Sequence, residues 1–226
     1  MKPKQLKCPF RWDTRTPCLA EGVLYVPSYY FSHDQWSLQE VEQIYSSFSK
    51  ISIEYCSGNG AWVAAKAKQE PDVLWIAVEK RFDRVQRIWA KKENEALSNL
   101  LIVCGEAQAF TKYYLKKSLI DCIYVNFPDP WPKDRHAKKR LVQASFLSEV
   151  KRVLKEEGEM VFVTDDELYQ KQMVQELLQT ECFSLFPSPF YQTEWEGYGT
   201  SYFEELWTKQ GRTIYYMKFT QDTSRS

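Results

Sequence analysis

The stretch Ile51-Ser-Ile-Glu-Tyr-Cys-Ser-Gly-Asn-Gly60 decides the fold. Residues 51–56 read as a strand, and the two glycines that follow predict a turn. Helix-forming residues come next, at 61–69. A strand, a glycine turn and a helix in this order bring backbone amides and a helix N-terminus close to a ligand. We call residues 56–60 the glycine turn.

The same alternation continues along the chain. Further strands are predicted at 73–78, 100–104, 122–126 and 159–164, and helices at 37–47, 61–69, from Phe82 onward, at 141–154 and up to about residue 180. Aromatic segments at 182–191 and 212–219 predict an antiparallel strand pair. Strands that alternate with helices indicate an α/β fold whose sheet is mostly parallel and covered on both faces.

Length and composition favour a single domain that spans residues 1–226. The chain has 226 residues, 44% of them hydrophobic, which suffices for one substantial core. We expect a catalytic core at 48–219 and an irregular N-terminal arm at 1–34, which prolines interrupt. Lysine plus arginine equals aspartate plus glutamate at 30 each, so binding of nucleic acid requires a local cationic patch.

Cysteine and histidine usage argues against a metal and against disulfides. None of the six cysteines forms a CxxC pair, and there are two histidines. Free cysteines fit a reducing compartment, and residues 1–15 lack the apolar stretch of a signal peptide. No apolar run has membrane-spanning length. We therefore expect a cytoplasmic protein without membrane or metal; monomer and homodimer both stay open.

Acidic residues lie at or just after the predicted strand ends, namely Glu79, Glu106, Asp129 and Asp165. Ligands of parallel sheets bind beyond these carboxyl ends, so we expect the acids to gather along one edge. Glu79 follows Gly58 by 21 residues, a distance at which an acid accepts hydrogen bonds from ribose hydroxyls. Glu106 either serves the same ligand or is a surface acid at a helix start.

The glycine turn argues against a dinucleotide. No third glycine follows Gly60, Trp62 is expected to crowd a diphosphate, and Glu54 to repel one. An acid beside the turn suits a cationic ligand such as S-adenosylmethionine. Gly58, Gly60, Glu54 and Glu79 are therefore predicted cofactor-binding residues, and Glu106 is a candidate for the adenine or its ribose.

A second motif, Asn126-Phe-Pro-Asp-Pro-Trp-Pro-Lys133, follows the strand at 122–126. We call it the proline loop. Three prolines within five residues fix φ and restrict the residues before them, so the loop is stiff before any ligand binds. It either closes a turn or presents Asn126, Asp129, Trp131 and Lys133 to a ligand. Trp131 either stacks on a base or braces the loop.

The proline loop runs into a cationic segment, residues 133–140, which we call the cationic run. It holds five cations against one acid. Such a run is either a solvated face or a track for RNA phosphates, and its place beside an acidic, stiff loop favours RNA.

These motifs together resemble the bacterial tRNA (guanine-N7-)-methyltransferases over roughly residues 48–217. The resemblance rests on the glycine turn with Glu54, on Val78-Glu79 and Glu106-Ala107, on the proline loop, and on Arg135-His136 and Lys138–Leu141; Thr164-Asp165 and Phe203-Glu204 extend it. It implies a class I methyltransferase fold with seven strands. It also implies S-adenosylmethionine as methyl donor and a guanosine in the tRNA variable loop, at tRNA position 46, as acceptor.

The resemblance also implies residue roles. Glu54, Glu79, Glu106 and Asp129 take cofactor-binding positions, and Asp129 also takes the catalytic one. Substrate contacts are implied for Lys133, Asp165 and the segment Ser201, Tyr202, Phe203 and Glu204, and RNA contacts for Arg135, His136, Lys138, Lys139 and Arg140. The sequence departs from the family pattern at Cys56, where glycine is usual, at Glu106, where aspartate is usual, and at Ser201, where threonine is usual.

Two alternatives to a tRNA methyltransferase remain at this point. One is a catalytically inactive RNA-binding paralogue, which the acids Glu54, Glu79 and Asp129 disfavour. The other is a methyltransferase that acts on a protein or a small molecule, which the cationic run disfavours. For residues 201–204, a helix start with a capping box is an alternative to substrate contact.

Overall fold

The computed structural model describes residues 1–10, 15–28, 30, 32–131, 134–180, 183–185, 190–199 and 201–221. The chain divides into two compact units, Met1–Leu115 and Lys116–Ser226. Each unit is a sheet with helices packed against it.

The first unit has five strands in the order β1-β2-β5-β4-β3. The strands are β1 (Cys18–Ala20), β2 (Val23–Val26), β3 (Lys50–Tyr55), β4 (Val73–Glu79) and β5 (Leu100–Gly105). All neighbours are parallel except β1 and β2. The helices are α1 (Gln39–Ser46), α2 (Ala61–Gln69), α3 (Phe82–Glu95) and α4 (Ala107–Tyr114).

Helix α3 shows how this unit buries its core. Val85, Ile88 and Trp89 are buried, and their spacing of three and four residues places them on one face. This face packs against β4 and β5. Strand β4 is itself buried from Leu74 to Glu79, as expected for a central strand covered on both faces.

The second unit has four strands in the order β6-β7-β9-β8. Its elements are β6 (Ile120–Asn126), α5 (Ala144–Val153), β7 (Leu154–Thr164), α6 (Glu167–Thr180), β8 (Phe183–Leu185), α7 (Tyr202–Lys209) and β9 (Tyr215–Gln221). Strands β6 and β7 are parallel, and β9 is antiparallel to both of its neighbours. The predicted C-terminal antiparallel pair is therefore confirmed.

Strands β3–β9 are the seven that the sequence predicts, so the mostly parallel α/β architecture is confirmed. Strands β1 and β2 lie within the segment expected to be irregular. Pro17 and Pro27 led to that expectation, but they flank the strands, and the apolar residues of β2 between them pair with β5. Strand β7 also begins earlier than predicted, at Leu154, because Gly158 lies within the strand.

Within the described residues, none of the helices combines the length and the apolar character that crossing a membrane requires.

Candidate active site

The glycine turn joins β3 to α2 through the left-handed region of backbone conformation. Cys56, Gly58 and Gly60 have φ values of 63°, 56° and 72°. Glycine enters this region freely, whereas cysteine is strained there. A Cβ on Gly60 would lie 2.7 Å from Cγ1 of Ile88. A side chain at Gly60 would therefore have to displace the Ile88 side chain of α3 and would also be strained at this φ.

Glu79 is fixed at the end of β4 through both carboxylate oxygens. Oε2 accepts a hydrogen bond from the Gly58 N–H at 3.0 Å, and Oε1 accepts one from the Arg81 N–H at 2.9 Å. Arg84 lies 3.5 Å from Oε2, and the Glu79 side chain is only 4% exposed. Oε2 thus has two donors, Gly58 and Arg84, whereas Oε1 has one and keeps a lone pair for a further hydroxyl group.

Glu54 lies in β3, two residues before the glycine turn, and is 2% exposed. Its backbone carbonyl accepts from Oγ of Ser57 at 2.8 Å, and the Ser57 carbonyl accepts from the Gly60 N–H at 2.8 Å. These bonds fix the turn to the end of the strand. A carboxylate buried to this extent favours a cationic ligand.

Glu106 directly follows β5 and is exposed. It lines a cavity of about 290 Å³ whose aromatic walls are Phe10, Tyr25 and Phe82. Arg15 adds a cation to the wall. The N-terminal segment thus shares a cavity with a predicted cofactor-binding residue. Sequence reasoning missed this contribution because residues 1–34 match no motif; their aromatic content was the available signal.

The acidic groups of the first unit fit S-adenosylmethionine. Two buried carboxylates, Glu54 and Glu79, flank a turn in which Gly58 and Gly60 carry no side chain. Carboxylates suit ribose hydroxyls and cationic groups, and they repel a diphosphate. The sequence suggests that Trp62 also crowds a diphosphate, but the structure does not support this role. It is buried and packs edge-on against Trp75, with ring centroids 5.6 Å apart. The argument against a diphosphate therefore rests on the carboxylates.

The proline loop begins where β6 ends, and it contains two aromatic residues with positive φ. Phe127 has φ of 45° and Trp131 of 43°, which is unfavourable for bulky side chains. The Phe127 N–H donates to the Val163 carbonyl at 2.9 Å and so extends the pairing of β6 with β7. Asp129, between the two strained residues, is exposed. Lys133 lies outside the described residues.

Arg140 points into the protein, although the sequence suggests a contact with RNA. Its side chain is 9% exposed. Nε donates to the Pro130 carbonyl at 2.7 Å and Nη2 to the Trp131 carbonyl at 3.4 Å. Nη1 donates to Oε1 of Gln172, and the guanidinium lies 5.3 Å from the centroid of the Tyr169 ring. A charge run read from the sequence does not reveal that one of its members is buried.

The other described cations of the run are accessible. Arg135, Lys138 and Lys139 are exposed, and His136 is half-buried. Nζ of Lys139 lies 4.8 Å from the centroid of the Trp131 ring, and His136 packs edge-on against the same ring at 5.6 Å. The run therefore covers Trp131, which favours bracing of the loop over stacking on a base.

Asp165 directly follows β7 and forms an ion pair with Arg212. The Asp165 side chain is 13% exposed. The Arg212 guanidinium also lies 4.1 Å from the centroid of the Trp207 ring. A substrate donor that binds Asp165 has to compete with this ion pair.

Ser201 and Glu204 form a capping box at the start of α7, so this alternative is confirmed. Oγ of Ser201 accepts from the Glu204 N–H, and Oε2 of Glu204 accepts from the Ser201 N–H, each at 3.1 Å. Oε1 accepts from the Tyr216 hydroxyl at 2.6 Å. Burial, together with this hydrogen bond, raises the pKa of Tyr216. Both oxygens of Glu204 thus already have a donor.

The aromatic residues between the two capping positions differ in exposure. Tyr202 is 54% exposed, whereas Phe203 is half-buried. The Phe203 ring lies 6.0 Å from that of Phe127. The start of α7 therefore packs against the proline loop, and Tyr202 remains accessible.

No group of three histidine, cysteine, aspartate or glutamate side chains that could hold a metal ion occurs within the described part of the chain.

Comparison with known proteins assigns a family. Residues 49–217 match the family described as "Putative methyltransferase". The tRNA (guanine-N(7)-)-methyltransferase of Chlamydia felis is 48% identical over 98% of both chains. The protein of the same name from Leptospira interrogans is 31% identical over 88% of this chain and 92% of its own.

This chain belongs to the tRNA (guanine-N(7)-)-methyltransferase family.

Family membership confirms the resemblance inferred from the motifs. The matched residues, 49–217, include all the predicted site residues from Glu54 to Glu204. The N-terminal wall of the cavity beside Glu106 lies before the matched region. Relatives such as the C. felis protein nevertheless align over nearly the whole chain.

Solved structures confirm the methyltransferase fold. The 16S rRNA methyltransferase KamB superposes with a TM-score of 0.63 at 16% identity, over 83% of this chain and 95% of its own. The antibiotic-resistance methyltransferase Kmr gives a TM-score of 0.59 at 18% identity, over 83% and 93%. At these identities the likeness concerns the fold alone.

Proposed function

We propose that this protein transfers a methyl group from S-adenosylmethionine to N7 of a guanosine in the variable loop of tRNA, at tRNA position 46. The observation that carries the proposal is the 48% identity over 98% of both chains to a protein named tRNA (guanine-N(7)-)-methyltransferase. The acids and the cationic run agree with it. We place the reaction in the cytoplasm, where tRNA is modified.

The first unit supplies the cofactor-binding groups in this proposal. Glu79 accepts from the ribose hydroxyls through the lone pair that Arg81 leaves on Oε1, and through Oε2 where a hydroxyl replaces the long contact with Arg84. Glu54 attracts the cationic part of the cofactor, and Gly58 and Gly60 allow close approach of the backbone. Glu106 faces the adenosine part. When bound, the cofactor supplies an activated methyl group, which leaves sulfur as a new bond to nitrogen forms.

Asp129 has the catalytic role, and it also takes a cofactor-binding position. Guanine N7 carries a lone pair and no proton, so the reaction requires no general base. The methylated base is cationic, and a carboxylate placed beforehand stabilises the charge as it develops. The same carboxylate accepts hydrogen bonds from the guanine edge. In-line positioning of the reacting atoms contributes most of the remaining acceleration.

The second unit supplies the contacts to tRNA. Arg135, Lys138 and Lys139 are exposed and pair with phosphates. Lys133 and His136 are also assigned to tRNA binding, because they lie in the same motif. Asp165 and the segment 201–204 contact the guanosine, with Tyr202 as the accessible member. Variable-loop RNA presents its bases more readily than a duplex does, so extrusion of the target base is easier.

A change of acceptor tests the proposal. Purified protein and S-adenosylmethionine with a labelled methyl group are incubated with a tRNA transcript, with the same transcript carrying adenosine in place of the variable-loop guanosine, and with a peptide mixture. We expect label in the first transcript alone. Label in both transcripts would contradict the assignment to the variable loop, and label in peptide would indicate a protein methyltransferase.

Binding of S-adenosylmethionine distinguishes the proposed enzyme from the remaining alternative. An inactive RNA-binding paralogue would bind tRNA without binding S-adenosylmethionine. Equilibrium dialysis with the labelled cofactor is expected to show saturable binding by the wild-type protein and weaker binding by Glu79→Gln.

A further inference from the structure

The three prolines of the proline loop do not by themselves explain the conformation of the backbone around Asp129. Three prolines fix local φ angles, but Phe127 and Trp131 both adopt strained, positive φ values. Strained backbone of this kind persists only where surrounding contacts determine it. The backbone on either side of Asp129 therefore needs an external partner that holds it.

Arg140 provides that partner. Its guanidinium donates to two consecutive carbonyls, those of Pro130 at 2.7 Å and Trp131 at 3.4 Å. These are the first two residues after Asp129. A planar guanidinium bonds two acceptors in a fixed relative orientation, whereas an ammonium group acts as a point charge.

The guanidinium is in turn held by helix α6. Nη1 donates to Oε1 of Gln172, and the face of Tyr169 lies 5.3 Å away. Tyr169 is fully buried and packs edge-on against Phe162 of β7, with centroids 5.3 Å apart. Its hydroxyl accepts from the Val142 N–H at 3.3 Å. Arg140 thus connects the proline loop to a rigid part of the second unit.

We propose that Arg140 is a positioning residue for Asp129. It holds the backbone that carries the carboxylate, with Gln172 and Tyr169 orienting the guanidinium, and it does not bind tRNA phosphate. The inference rests on the proposed function, in which Asp129 is catalytic. It divides the cationic run into exposed residues that bind RNA and one buried residue that acts through the loop.

The first test compares Arg140→Lys with Lys138→Ala. Arg140→Lys keeps the charge and loses the two-carbonyl geometry. We expect kcat at saturating tRNA and cofactor to fall about tenfold to a hundredfold, because a displacement of about 1 Å at a reacting group has effects of this size. The tRNA Kd and its salt dependence should stay within about twofold of wild type. Lys138→Ala should instead weaken tRNA binding and lower the salt slope by about 0.7–0.9.

The second test separates positioning from general destabilisation. Arg140→Ala is assayed with guanidinium chloride at a few millimolar, and methylammonium chloride at the same concentration serves as the control. We expect guanidinium to restore kcat several-fold and methylammonium to leave it unchanged. Recovery of kcat without a change in Tm assigns the effect to the loop.

If Arg140→Ala does not fold, Gln172→Leu replaces it, with Lys171→Leu on the exposed side of the same helix as its matched control. Gln172→Leu removes one acceptor of the guanidinium and should lower kcat about two- to tenfold, whereas Lys171→Leu should behave as wild type.

The inference is overturned if Arg140→Lys weakens tRNA binding and lowers the salt slope as Lys138→Ala does while kcat at saturation is unchanged. It is also overturned if Gln172→Leu turns over like Lys171→Leu. A wild-type protein that methylates no guanosine would instead contradict the proposed function, so the two failures are distinguishable.

Discussion

The glycine turn and the proline loop each fix a carboxylate, but by different means. The glycine turn holds Glu79 through the Gly58 amide, a group that no substitution at Gly58 removes except proline. The proline loop carries Asp129 on strained backbone and is held by the Arg140 side chain, which comes eleven residues later. A hydrogen bond from a backbone amide survives most substitutions of its residue, whereas a hydrogen bond from a side chain is lost when that one residue is substituted. The two regions should therefore fail differently when they are mutated.

The largest effect is expected for Asp129→Ala. Removal of a carboxylate placed for a developing positive charge should raise the barrier by about 2–4 kcal/mol and lower kcat accordingly. The Kd for tRNA should change little, since phosphate contacts dominate affinity. Asp129→Asn, which keeps the shape without the charge, is the matched control for loss of packing. Single-turnover rates at saturation measure the effect, and rates near wild type would remove Asp129 from the catalytic role.

Glu79→Gln should mainly affect cofactor binding. The NH₂ group of the glutamine would face the backbone N–H of Gly58 or of Arg81. One hydrogen bond is then lost, because both of these groups are donors. We expect the Kd for S-adenosylmethionine to weaken by about 1.5–3 kcal/mol, the range for hydrogen bonds to charged groups. Isothermal titration measures this change.

Asp83→Asn is the control for Glu79→Gln, because it removes a nearby acid, at the start of α3, that forms an exposed ion pair with Arg81. It should leave the cofactor Kd within about twofold of wild type, as expected for a surface pair. Equal weakening in both variants would mean that general charge, rather than the held carboxylate, binds the cofactor.

The exposed part of the cationic run should show a smaller, salt-dependent effect. Lys138→Ala combined with Lys139→Ala is expected to lower the slope of log K against log salt by about 1.4–1.8, since each lost phosphate contact contributes about 0.7–0.9. Adding Arg140→Lys should not lower the slope further. Fluorescence anisotropy at several salt concentrations tests both statements, and an unchanged slope in the double variant would make the run a solvated face.

The smallest effect is expected at the start of α7. Ser201→Ala removes the N-cap and should lower the free energy of unfolding by about 1 kcal/mol. Glu204→Gln should also lower Tm, because both carboxylate oxygens accept hydrogen bonds within the fold. Tyr216→Phe removes one of those bonds and leaves the capping box intact. A Tm unchanged in Glu204→Gln, with kcat/KM for tRNA reduced, would show that Glu204 acts on substrate and not as a cap.

Much of the fold was predictable because its signals are local. The periodicity of Val85, Ile88 and Trp89 and the apolar run of β4 each identify an element without reference to distant residues. Strand β2 was missed because its four apolar residues, which end directly before Pro27, are too short a signal. Its formation depends on pairing with β5, some 80 residues later, which no local pattern encodes.

The candidate site shows the same division. The glycine turn and the position of the acids after the strands were predicted from local spacing. The inward direction of Arg140 and the bond from Tyr216 to Glu204 depend on tertiary contacts with α6 and β9. Charge and capping patterns show which residues are present, but burial decides whether a charged side chain meets solvent or backbone.

Identification of the modified atom tests the central claim most directly. A tRNA transcript is methylated by the wild-type protein, digested to nucleosides and analysed by mass spectrometry, beside a transcript whose variable-loop guanosine is 7-deazaguanosine, which has carbon in place of N7. The proposed function predicts one N7-methylguanosine per tRNA in the first sample and no methylated guanosine in the second. Methylation of the 7-deaza transcript, or methyl groups on any other base or atom, would contradict it.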